Sequence, residues 1–101
     1  SPDLNFEDAS AITRGKYLDL NMSIRNQGLE SSGTAKIIVS SGDSVIREID
    51  LKPLDIGSGI KISLSNIWVP KIFINEITLS INPDFNELNK ENNNIILNVR
   101  D

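Results

Sequence analysis

Hydrophobic and polar residues alternate with a period of two along most of the chain. Over residues 17–25, Leu18, Leu20, Met22 and Ile24 fall on one face and Asp19, Asn21, Ser23 and Arg25 on the other. A half-buried β-strand carries this signature, because successive side chains leave opposite faces of a sheet. Asn26-Gln27-Gly28 then breaks the pattern as a turn. Residues 34–40 resume it with Ala35, Ile37 and Val39 inward, and Ser41-Gly42-Asp43 is a hairpin signal. The next stretch, 44–51, is mixed. Val45, Ile49 and Leu51 share a face with Arg47 while Ile46 points away, which suits an edge strand carrying a bulge or a snorkelling arginine.

Beyond the turn marked by Pro53 and Gly57-Ser58-Gly59, Ile60, Ile62 and Leu64 alternate with Lys61, Ser63 and Ser65. An irregular piece, Trp68-Val69-Pro70, leads to residues 73–81, where Asn75, Ile77, Leu79 and Ile81 form one face. Ile95, Leu97 and Val99 mark a last strand, and Leu4 and Phe6 a short first one. Only residues 83–89 read as helical, for a turn or two. Asn82 is one cap for it, with Pro83 at the first helical position; Asp84, with Glu87 closing a capping box, is the other. Seven short strands with turn signals roughly every 8–15 residues predict an all-β antiparallel sandwich. A parallel sheet needs helical crossovers of about a dozen residues, and the pattern holds none.

Composition narrows the chemistry. The chain has 101 residues, the size of one domain spanning 1–101, and no Cys or His. Disulfides, Cys/His zinc sites and Ser-His-Asp or Cys-His catalysis are therefore excluded. Ten Lys and Arg against 14 Asp and Glu give a net charge of −4, which argues against nucleic-acid binding. Unbroken apolar runs reach about three residues, far short of the roughly 20 of a membrane-spanning helix. Direct membrane insertion is not expected.

Read in order, four pieces of the chain carry a likeness. They are Pro2-Asp3-Leu4; Ile24-Arg25-Asn26-Gln27-Gly28; Leu54 with Gly57; and Ile81-Asn82-Pro83-Asp84 followed by Glu87-Leu88-Asn89-Lys90-Glu91-Asn92-Asn93. Together they resemble the CARDB family, the cell-adhesion-related domain found in bacteria. Asn82 stands where that family usually has Asp, and Lys90 stands at the second acidic position of its closing signature. The resemblance implies a seven-stranded immunoglobulin-like sandwich of fibronectin-III-like topology. It also implies a cell-surface or extracellular location and a non-catalytic module, excised from a longer protein. Its partners are then other proteins or neighbouring domains of the same chain, and the isolated domain is expected to be monomeric. The alternative role is that of an accessory domain of a secreted peptidase or glycosidase.

The most function-like stretch is the acidic and amide segment from Asp84 to Asn93. Calcium takes six to eight oxygen ligands, and Asp84, Asn86, Glu87 and Glu91 offer such oxygens. The structural alternative assigns Asn82, Pro83, Asn92 and Asn93 to holding the loop by bonds to its own backbone. No other cofactor is expected, and no pair of carboxylates is placed for catalysis. Trp68 is expected to close the end of the core rather than to stack on a sugar. Asn21-Met22-Ser23 is a glycosylation triplet on an outward strand position. Charges on 44–51 are expected to protect that edge from pairing.

Overall fold

The computed structural model describes residues 1–84 and 93–99. Seven strands run in the order β1 (Leu4–Arg14), β2 (Tyr17–Asn26), β3 (Ala35–Ser41), β4 (Ser44–Leu51), β5 (Gly59–Trp68), β6 (Glu76–Pro83) and β7 (Asn94–Asn98). They form two antiparallel sheets, β1-β2-β5 and β4-β3-β6-β7, which is the predicted sandwich. The alternating residues meet between the sheets. Leu18, Leu20, Met22 and Ile24 from β2 pack with Ile37 and Val39 from β3 and with Ile77, Leu79 and Ile81 from β6, all buried. The three interior strands, β2, β3 and β6, thus carry the stripes that the period-two pattern marks most clearly.

Four details differ from the sequence expectation, and in three of them the cause is an extra or displaced residue that shifts the phase of the alternation. First, β1 extends to Arg14 instead of stopping near Phe6. Its register with β2 skips Glu7, so the inward set changes from Leu4 and Phe6 to Ala9 and Ala11. Second, Ile46 does not point away. β4 pairs Arg47 with Val39 but Val45 with Ser40, leaving Ile46 as the extra residue of a bulge, half-buried against the core. Third, Trp68 does not close the core: it is 61% exposed. The register of β5 shifts between Leu20↔Leu64 and Leu18↔Ile67, and Asn66 takes φ 57. Ile67 and Val69 are buried in its stead, while Trp68 faces outward opposite Tyr17.

The fourth difference is at residue 75. Asn75 belongs to a 3₁₀ turn, Phe73–Asn75, ahead of β6 and is exposed. Ser41 holds this turn to the end of β3: its Oγ accepts the Phe73 amide at 2.7 Å and donates to the Glu76 carbonyl at 3.0 Å. Pro83 ends strand β6, so a helix cannot begin at that residue. Residues 85–89 of the predicted helix lie outside the described residues. Among the described residues, no helix is long and apolar enough to cross a membrane.

Candidate functional site

Three of the four motif pieces converge at one end of the sandwich. Asn26 continues the even-numbered buried series of β2, so its side chain enters the core and is fully buried. A buried amide is costly unless bonded, and Asn26 bonds through every position. Its Oδ1 accepts the amides of Asp3 at 3.1 Å and Gly28 at 3.0 Å. Its Nδ2 donates to the carbonyls of Glu30 at 2.7 Å and Leu54 at 3.0 Å. Its own backbone amide donates to the Ser58 carbonyl, and its carbonyl accepts from Gly57. One side chain therefore joins the entry to β1, the turn after β2 and the segment before β5.

Gly28 completes the junction by being small. A Cβ there would collide with the Ser1 carbonyl and lie 2.6 Å from the Asp3 amide nitrogen. The N-terminal segment passes against its backbone, and the Gln27 amide donates to the Asp3 carbonyl at 2.8 Å. Ser32 was missed in the sequence. Its Oγ accepts the Leu54 amide at 2.8 Å, and its own amide donates to the Leu54 carbonyl, also at 2.8 Å. Pro2-Asp3-Leu4, Asn26-x-Gly28 and Leu54-x-x-Gly57 are thus parts of one scaffold junction. The signal for it was present: an asparagine falling in phase with four buried apolar residues.

The acidic segment is represented by its two ends. Asp84 is exposed, and its Oδ2 accepts the Thr34 hydroxyl at 2.9 Å while its amide donates to the Thr34 carbonyl at 3.0 Å. Asp84 therefore ties the end of β6 to the start of β3. Asn82 is exposed and Pro83 half-buried, both within β6. Asn93 is buried just before β7. Asn86, Glu87, Glu91 and Asn92 lie outside the described residues. Among the described residues, no group of three or more His, Cys, Asp or Glu is placed to hold a metal.

The outer face of the β1-β2-β5 sheet is polar. Asn21 is exposed, and its Oδ1 accepts from Ser63 Oγ at 2.7 Å. Arg25 spans the sheet, with Nε 2.9 Å from Glu7 and Nη1 donating to the Gly57 carbonyl at 2.6 Å. Arg14, Asp19 and Asn66 form a second cluster. Arg14 pairs with Asp19 at 2.7 Å, and Asp19 accepts the Asn66 amide at 2.9 Å, which supports the bulge that turns Trp68 outward. A shallow depression of about 410 Å³ lies beside the β3–β4 hairpin, lined by Ser41, Gly42, Asp43, Ser44, Lys71 and Phe73.

The family model of CARDB matches residues 1–96. A similar solved structure is the crystal structure of a CARDB domain of a Pyrococcus furiosus protein in complex with di-metal ions. It is 16% identical to this chain, with a TM-score of 0.71, and the match covers 98% of this chain and 94% of that one. No curated protein matches.

Proposed function

Because the chain belongs to the CARDB family, a non-catalytic domain family of β-sandwich modules, we propose that it serves as an adhesion or protein-interaction unit, or as a spacer, in a cell-surface or secreted protein. The observation that carries this reading is the Asn26 junction. Among the described motif residues, Asp3, Asn26, Gly28 and Leu54 are occupied in bonding strands to one another, with the amide of Asn26 fully used. They are committed to holding a scaffold, and the loops and outer sheet faces are left for partners or neighbouring domains. Surface biotinylation of intact cells that make the parent protein tests the location. Labelling of the parent on intact cells is expected; labelling only after lysis overturns the surface reading.

A second reading is an accessory module of a secreted hydrolase whose acidic segment is stiffened by calcium. The similar Pyrococcus furiosus domain was solved with di-metal ions, and Asp84 stands exposed at the head of the segment. Among the described residues only Asp84 fits the ligand role, and one of its oxygens is taken by Thr34. The spacer or interaction reading is therefore preferred.

A further inference from the structure

Among the described residues, four strands lie at sheet edges: β1 and β5 in one sheet, β4 and β7 in the other. An edge strand offers N–H and C=O groups to any passing strand unless it is shortened, charged or bulged. β1 is bulged at Glu7 and has exposed Glu7 and Asp8 there. β4 is bulged at Ile46 and carries exposed Arg47, Glu48 and Asp50. β7 is five residues long and leans on β1 across the sandwich. Over residues 59–64 β5 is neither shortened nor bulged. There it runs in unbroken register with β2, from Arg25↔Gly59 to Leu20↔Leu64, and Lys61 is its one charge.

Its inner stripe is also incompletely covered. Ile60 is 39% exposed and Ile62 and Leu64 are half-buried, whereas their β2 partners Ile24, Met22 and Leu20 are buried. The backbone faces the same way. Asn26 donates to the Ser58 carbonyl, so by antiparallel alternation residues 60, 62 and 64 bond to β2, and Lys61 and Ser63 turn their N–H and C=O to the open side.

We propose that β5 is a docking edge and that its occupant is β5 of a second copy, laid antiparallel about a two-fold axis at Ile62. Opposed residues must share a face, so the axis has to pass through a residue. Centred on Ile62, Ile60 falls opposite Leu64, Lys61 opposite Ser63, and Ile62 opposite itself. Apolar meets apolar, and no two charges are directly opposed. β4 fails the same test. Its central two-fold registers set Arg47 on Arg47, Glu48 on Glu48, or Glu48 on Asp50, and like charges directly opposite destabilise a pair. A six-residue strand pair buries less than the roughly 1,600 Å² of a standard interface. The association is therefore concentration-dependent, and the monomer is its dilute state. This inference stands apart from the cellular location proposed above.

Sedimentation equilibrium from micromolar to millimolar protein tests it, together with amide hydrogen exchange at low and high concentration. The expected result is a mass rising toward twice the monomer, with the Lys61 and Ser63 amides slowing as concentration rises. Ile62→Lys sets like charges on the axis and is expected to abolish the dimer, while Val45→Lys on the exposed face of β4 leaves it intact; thermal unfolding confirms that both variants fold. A monomer mass throughout overturns the proposal. So does a dimer that survives in folded Ile62→Lys or is lost in folded Val45→Lys. Should Ile62→Lys not fold, unchanged exchange at Lys61 and Ser63 in the original chain overturns it equally.

Discussion

Asn26 places four hydrogen bonds of one buried side chain in a junction built from three distant segments. Truncating it removes these bonds and strands buried backbone groups, each of which costs about 1–3 kcal/mol when left unsatisfied. Partial relaxation and water entry reduce the sum. Asn26→Ala is expected to destabilise the domain by about 3 kcal/mol, among the larger effects of a single substitution. Urea unfolding at constant m measures it. Asn26→Asp tests the donors separately: it keeps the acceptor for Asp3 and Gly28 but loses the donors to Glu30 and Leu54, and it buries a carboxylate. A loss at least as large as that of alanine is expected at neutral pH, shrinking toward acid pH as the carboxyl is protonated. Gly28→Ala acts by shape alone. Its methyl meets the Ser1 and Asp3 backbone, so the N-terminal segment must move, with an expected cost of about 1–3 kcal/mol. Faster exchange of the Gln27 amide, which donates to Asp3, would locate the damage.

At the scale of elements, single residues that shift the alternation decide which side chains reach the core. The bulge at Asn66 is the clearest case, because it sends Ile67 inward and Trp68 out. Trp68→Ala is therefore expected to change stability by no more than about 0.5 kcal/mol, as exposed substitutions do, whereas Ile67→Ala is expected to cost about 2–5 kcal/mol. Equilibrium unfolding of the two variants side by side checks this inversion of the usual order. The same contrast explains what was legible in the sequence. β2, β3 and β6 have alternating residues whose phase holds through the core, so both their existence and their inward faces could be read. β1, β4 and β5 each contain a position where the partner strand is skipped, and a fixed period cannot follow that skip. The Asn26 junction was half legible: Gly28 and Leu54 could be recognised as pieces, but that they meet is a property of topology. Ser32 had no periodic signal at all, since its role depends on a carbonyl and an amide 22 residues away.

For the whole molecule, the open question is whether the acidic segment adds stability beyond that of the sandwich. The described part of the domain already closes itself. Its sheets share one apolar core, its Asn26 end is bonded across three segments, and Thr34 joins β3 to β6 through Asp84. Calcium would have to gather six to eight oxygens, and the one described candidate carboxylate has an oxygen already accepting the Thr34 hydroxyl. The melting temperature is therefore expected to be the same in millimolar calcium and in excess chelator. The measurement is decisive because the contrary effect is large. A ligand that binds only the native state, present at a hundredfold excess over its Kd, adds about 2.7 kcal/mol. In a domain of this size that is a shift of roughly ten degrees or more. Such a shift, lost in Asp84→Ala, would make the domain a calcium-set joint and replace the spacer reading. Without it, Asp84→Ala should cost only the exposed hydrogen bond to Thr34, about 0.5–1.5 kcal/mol, equally in both buffers.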